Sequence, residues 1–87
     1  MTSAEIESAI RSFIGQNFLY GQGADTLVGT DSFMEKGIVD STGVLELIAF
    51  LEQQFGVTVQ DEELVPENLD SVDRVVVFVC RKLGTSS

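Results

Sequence analysis

The stretch that decides the fold runs from Asp40 to Gly56 and reads DSTGVLELIAFLEQQFG. Its apolar residues recur at the spacing of one face of a helix, and they are Val44, Leu47, Ile48, Leu51 and Phe55. Asp40 or Ser41 is suited to cap the start of such a helix, and Gly56 stands where a helix commonly ends. The stretch therefore predicts an amphipathic helix over residues 41–55.

A second helix is predicted near the N-terminus. Thr2 is followed three positions later by Glu5, which is a capping-box pattern. Behind it runs one apolar stripe, composed of Ile6, Ile10, Phe13, Ile14 and Phe18. We expect this helix to reach about Asn17 or Phe18.

The C-terminal segment is predicted to be a third helix. Asp70 and Ser71 precede an apolar face and Gly84 follows it, with Arg81 and Lys82 in the last turn. The face consists of Leu69, Val72, Val75, Val76 and Val79. The β-prone run 75–79 also suits a buried strand, but no partner strand is evident, so a helix is favoured.

The connections between these helices differ in length. Residues 19–40 lack periodicity and form a long loop that we expect apolar residues to pin to the core, with a short helical turn near residues 33–36. The expected anchors are Leu27, Val28, Phe33, Ile38 and Val39. Residues 57–59 are predicted to be extended and 61–65 to form one short helix before Pro66. We expect an all-α, three-to-four-helix bundle with a long first loop, forming a single domain over residues 1–87.

Composition limits what such a domain does. A chain of 87 residues and 9.4 kDa has room for one modest core, so a self-contained enzyme is not expected. The sequence has no histidine, the commonest general base and a common metal ligand. Its single cysteine, Cys80, cannot form an internal disulfide or a thiolate metal cluster. We expect no catalytic site and no metal.

Charge indicates the kind of partner. The formal net charge is −9 and the isoelectric point is near 4.1, which argues against nucleic acid and anionic membranes and favours basic protein surfaces. The first residues carry Glu5 and Glu7 without a continuous apolar run, so no signal peptide or membrane span is predicted. We expect a cytoplasmic monomer.

Ser41 is the most informative single residue. It stands at the start of the central helix, where unpaired backbone N–H groups and the helix dipole favour a bound phosphate, so a phosphodiester could be attached there. Local features alone favour a simpler interpretation, in which Ser41 or Asp40 only caps the helix. A catalytic serine is not indicated, because no histidine or Ser-x-x-Lys pattern is present to activate it.

The residues around Ser41 resemble a known family. The segments FMEKGIVDS at 33–41, VLELIAFLEQQF at 44–55 and VTVQDE at 57–62 are similar to the attachment region of acyl carrier proteins. The resemblance continues more loosely to about Leu83. It implies that a separate phosphopantetheinyl transferase attaches 4′-phosphopantetheine to Ser41, and that the arm holds acyl groups as thioesters. The implied function is a free-standing carrier in fatty acid, specialised lipid or polyketide synthesis.

The resemblance also implies a docking surface on the central helix. Acyl ligase and synthase enzymes with basic patches would bind it through Asp40, Leu45, Glu46, Ala49 and Glu52. Thr42-Gly43 departs from the family pattern, because a leucine commonly follows the modified serine and glycine loosens the first helical turn. A discrete aminoacyl or peptidyl carrier and an unmodified acidic helical interaction module remain alternatives.

Overall fold

The computed structural model describes residues 2–18 and 28–84. Within these ranges the chain forms four α-helices, α1 (Ser3–Asn17), α2 (Ser41–Phe55), α3 (Pro66–Leu69) and α4 (Val72–Leu83), with a 3₁₀ turn at Asp61–Glu63 and no strand. The expected all-α bundle of three long helices and a short one is therefore confirmed. The predicted anchor Leu27 lies outside the described residues.

The predicted caps fix the ends of the long helices. In α1 the Glu5 N–H donates to Thr2 Oγ1 at 3.2 Å, and the Thr2 N–H donates back to Glu5 Oε1 at 2.9 Å. The bond from the Thr2 backbone is the main cause that lowers the pKa of Glu5 below 4.5, followed by the bond with its side chain. Gly56 and Gly84 end α2 and α4 in the left-handed conformation, with φ of 70° and 71°.

The β-prone C-terminal run is helical and lies at the centre of the fold. Helix α4 packs against α1, α2 and α3, so one face of it forms much of the core. The fully or almost fully buried residues of this helix are Val72, Val75, Val76, Phe78, Val79 and Cys80. Burial on one helical face thus prevails over β propensity, because the neighbouring helices offer an apolar surface and no strand edge.

The short helix predicted at 61–65 is wrong. The 3₁₀ turn ends at Glu63, Val65 is extended with φ −127° and ψ 152°, and a separate helix begins at Pro66. The steric restriction that proline places on the preceding residue explains the break, and proline suits the first position of a helix. Leu69 belongs to α3 rather than to the helix that follows.

The described part of the long loop, from residue 28 on, is pinned to the core, as expected for Phe33 and Val39, which are buried, and for Ile38, which is half-buried. Val28 is exposed and anchors nothing through its side chain. The Phe33 N–H donates to the Asp70 carbonyl oxygen at 2.7 Å, so the loop is bound to the junction of α3 and α4. Residues 33–37 are in turns, and the Lys36 N–H donates to the Ser32 carbonyl oxygen at 3.1 Å, which is the spacing of the short helical turn predicted here.

Candidate functional site

The sequence did not show whether Asp40 or Ser41 caps the start of α2, and the structure distinguishes them. Asp40 is the N-cap, and its Oδ1 accepts the Gly43 N–H at 2.7 Å. Ser41 is the first helical residue, its side chain is exposed, and no group within residues 2–18 and 28–84 hydrogen-bonds to its hydroxyl. The capping role belongs to Asp40, which leaves the Ser41 hydroxyl available for modification.

The backbone around Ser41 offers a favourable setting for a phosphate. The Val44 N–H donates to the Asp40 carbonyl oxygen at 3.0 Å, so the capping residue takes up the third and fourth N–H groups of the helix. The first N–H groups of an α-helix have no partner within it, and the dipole gives this end partial positive charge. No acidic residue lies in the first turn of α2 itself. A phosphodiester on Ser41 therefore fits this end.

An apolar groove of about 90 Å³ opens beside this helix end. Its lining consists of Met34 from the loop, Val44 from α2, Leu64 and Val65 before α3, Pro66 and Leu69 from α3, and Asp70. Val44 lies three residues after Ser41, so the two side chains occupy the same side of α2. Ser41 and the groove are therefore neighbours. Sequence spacing does not reveal this groove, because its lining comes from three separated segments.

Two polar clusters hold the walls of the groove. Asp70 accepts the Met34 N–H at 3.1 Å and the hydroxyl of Ser32, which fixes the loop side. Lys82 Nζ lies 2.9 Å from Glu63 Oε1 at the start of the opposite wall. The bond from the Gln60 backbone is the main cause that lowers the pKa of Glu63 below 4.5, and the bond from Lys82 adds to it.

The residues predicted to form the docking surface differ in their exposure on α2. Leu45 is 62% exposed although it is a large apolar residue, and Ala49, one turn further on, is exposed as well. Glu46 is also exposed. Glu52 differs, because it is half-buried and its Oε2 accepts the Val59 N–H at 3.0 Å. Glu52 therefore has an internal role in holding the stretch after α2.

The expectation that Gly43 only loosens the first turn of α2 is wrong. The turn is intact, and Gly43 is buried against the ring of Phe18, which follows α1. A Cβ atom built at Gly43 would lie 2.7 Å from Phe18 Cε1 and 3.2 Å from Val39 Cγ1. The absent side chain thus lets the end of α1 pack against the helix end that carries Ser41.

Gly43→Ala is expected to destabilise the protein by about 1 kcal/mol, because overpacking costs about 1–3 kcal/mol and exceeds the gain of about 1 kcal/mol in helix propensity. Urea unfolding monitored by circular dichroism measures the difference. In a Phe18→Ala background the same substitution should cost less or stabilise, since the ring is gone. A stabilised single variant would show that the Phe18 contact does not limit this position.

The described residues show neither a membrane span nor a metal site. No helix within them is both long and apolar enough to cross a bilayer. No group of three histidine, cysteine, aspartate or glutamate side chains lies in an arrangement that could hold a metal ion there.

Comparison with known proteins gives the family. No protein-family model matches the chain. The chain is 33% identical over 76 residues to the probable acyl carrier protein PigG of Serratia sp. (strain ATCC 39006), across 87% of this chain and 86% of that protein. It also superposes on the solution NMR structure of the holo acyl carrier protein NE2163 from Nitrosomonas europaea, with a TM-score of 0.74, 26% identity and coverage of 91% and 95%. The chain belongs to the acyl carrier protein family.

Proposed function

We propose that the protein is a free-standing, single-domain carrier, spanning residues 1–87, that bears its 4′-phosphopantetheine on Ser41. Acyl carrier proteins hold their cargo through this covalent arm, whose terminal thiol supplies a thioester linkage. The observation that carries the proposal is the Ser41 hydroxyl, which is exposed at the first position of α2 and takes no part in capping.

The surroundings of Ser41 support the attachment of this arm. The helix end would stabilise the phosphodiester through its partial positive charge and unpaired N–H groups. The groove beside Val44 would receive apolar parts of the arm or of its cargo. Asp40 would hold the first turn rigid, so that Ser41 is presented to a transferase in one position.

Partner enzymes would supply all of the chemistry. The chain has no histidine, and its charge of −9 favours brief encounters with basic surfaces of transferases, acyl ligases and synthases. We assign the docking role to Asp40, Leu45, Glu46 and Ala49, which are exposed on α2 or at its start, and a mainly internal role to Glu52. The same charge opposes self-association, so we propose a monomer. The single free cysteine, Cys80, agrees with a cytoplasmic location.

Intact mass spectrometry tests the attachment. The unmodified protein is incubated with coenzyme A and a phosphopantetheinyl transferase of broad specificity, and the adduct is localised by fragmentation. The mass of one phosphopantetheine on Ser41 is expected. An unchanged mass, with a known carrier modified in a parallel reaction, would favour the unmodified interaction module.

Glu46→Lys is expected to slow modification by a transferase with a basic docking patch, because it reverses a charge on the proposed surface. The second-order rate constant should fall about 10-fold at low salt and much less at 0.5 M salt, since salt screens exposed charges. The rate of coenzyme A consumption at several salt concentrations measures this effect.

Glu67→Lys is the matched control, because it changes the net charge equally. Glu67 is exposed and lies beside Arg74 and Arg81 on the α4 side. Equal slowing by both variants would mean that total charge matters rather than the α2 face. If Glu46→Lys slowed modification equally at low and high salt, the transferase would dock on a surface other than the α2 face.

A further inference from the structure

Three of the five basic residues of the chain lie on α4, and each of them contacts the segment that carries one wall of the groove. Lys82 Nζ is 2.9 Å from Glu63 Oε1, and Arg81 Nη2 donates to Asn68 Oδ1 at 2.9 Å. Arg74 Nη1 donates to the Glu67 carbonyl oxygen at 3.2 Å. The helix dipole favours Arg81 and Lys82 in the last turn of α4, but it does not explain why all three cations contact the same segment.

The segment from Glu63 to Leu69 has few apolar contacts of its own to hold it. Leu64 is 38% exposed, Pro66 is exposed, and only Leu69 at its end is fully buried in the core. Helix α3 has four residues, and so short a helix is not stable by itself. Packing of Leu69 holds the end of the segment, and the part before it is held mainly by the polar contacts with α4 and by the bond from Asn68 Nδ2 to the Glu63 carbonyl oxygen at 3.0 Å.

This segment also sets the size of the groove. Leu64, Val65, Pro66 and Leu69 form one side of it, while Val44 on α2 and Met34 on the pinned loop form the other. Since Asp70 fixes Met34, the groove widens most readily where the segment moves away from α2. A cavity of about 150 Å³ holds benzene, so the present volume has room for roughly four carbon atoms.

We infer that Lys82 and Arg81, through their bonds to Glu63 and Asn68, form an electrostatic latch that holds the 63–69 wall against α4, keeps the groove narrow and limits it to short acyl groups. The inference rests on the proposed function, because the groove matters only if Ser41 carries cargo. These are positioning residues, since they act through the wall and do not line the groove. Longer acyl groups would have to open the latch before they could enter.

The first test uses the unmodified chain and needs no cargo. Three N–H groups in the segment or directly after it are hydrogen-bonded to nearby carbonyl oxygens: those of Leu64, Asn68 and Asp70, to Asp61, Val65 and Pro66 respectively. In Lys82→Met, which keeps the aliphatic stem, and in Glu63→Gln, their amide hydrogen exchange should accelerate about three- to fivefold, the equivalent of a weak ion pair. The amides of Val44 and Gly56 in α2 and at its end should exchange at unchanged rates.

Two further variants serve as controls for this exchange measurement. Lys36→Met removes a cation of the long loop and its contact with Asp31 at 3.7 Å, with the same change in charge as Lys82→Met, and should leave the exchange of the segment unchanged. Lys82→Arg keeps a cation at this position, so the segment should exchange as slowly as in wild type. Wild-type exchange in both Lys82→Met and Glu63→Gln would overturn the latch.

The second test measures the effect on cargo. A transferase loads butyryl- or octanoyl-phosphopantetheine onto Ser41 from the acyl-coenzyme A, and the rate at which hydroxylamine cleaves each thioester reports its exposure. In wild type the butyryl group should be protected and the octanoyl group cleaved several-fold faster. Lys82→Met should reduce this ratio by about threefold, by slowing cleavage of the octanoyl group.

The outcomes of the two tests are separable. If Lys82→Met left the ratio of octanoyl to butyryl cleavage rates unchanged, the inference would be overturned, even if amide hydrogen exchange in the segment accelerated. Failure to load Ser41 at all would refute the proposed function, while hydrogen exchange would still decide whether the latch exists.

Discussion

Ser41→Ala is expected to abolish the addition of phosphopantetheine and to leave the free energy of unfolding unchanged within about 0.5 kcal/mol. The modification should vanish because the arm has no other oxygen at this position to join. The stability should not change because the Ser41 hydroxyl is exposed and unpaired among the described residues. Mass spectrometry after incubation with transferase and coenzyme A measures the first effect, and urea unfolding measures the second.

Two comparison variants make this result specific. Thr42→Ala removes the neighbouring exposed hydroxyl and should still be modified. Asp40→Ala removes the actual N-cap and should cost about 1 kcal/mol of stability. An adduct on Ser41→Ala would show that another residue is the attachment site. A stability loss as large as that of Asp40→Ala would mean that Ser41 shares the capping role.

The helices could be predicted from sequence because local residues determine their ends. The reciprocal bonds of Thr2 and Glu5 and the left-handed Gly56 involve neighbours within one turn, and each pattern is visible in the sequence. The apolar stripes then indicate which faces are buried. The same local reasoning placed Ser41 at the start of α2.

The groove and its walls depend on contacts between residues far apart in sequence. Asp70 binds Met34 across 36 positions, and Gly43 packs against Phe18, which follows α1. Neither relation leaves a periodic pattern, so the sequence predicted a looser turn at Gly43 and placed Asp70 together with Ser71 before the last helix without separating their roles. Ser71 is the residue that caps α4, and Asp70 is released to hold the loop. Of the two adjacent polar residues at the start of α4, one caps the helix and the other binds the loop. At the start of α2, likewise, Asp40 caps the helix and Ser41 does not.

Phe33 connects the loop to the core and to the groove. Its side chain is 1% exposed, its N–H donates to the Asp70 carbonyl oxygen, and its own carbonyl oxygen accepts the Ile38 N–H at 2.8 Å. The next residue, Met34, lines the groove, and the same loop leads to Asp40 and Ser41. The packing of one aromatic ring thus positions both the groove wall and the approach to the attachment site.

Phe33→Ala is expected to destabilise the protein by about 3–5 kcal/mol, the cost of removing a fully buried phenylalanine from a core that cannot collapse around the cavity. This is a large share of the roughly 5–15 kcal/mol that stabilises a small domain, so the midpoint of urea unfolding should fall sharply. Met34→Ala is the matched control, because Met34 is adjacent in sequence but 56% exposed, and it should change stability by less than about 1 kcal/mol. Similar losses in the two variants would indicate that the loop is held by its backbone bonds to Asp70. A much larger loss of stability in Phe33→Ala than in Met34→Ala would show that the Phe33 ring pins the loop. The ring would then also fix the position of the loop that precedes Ser41.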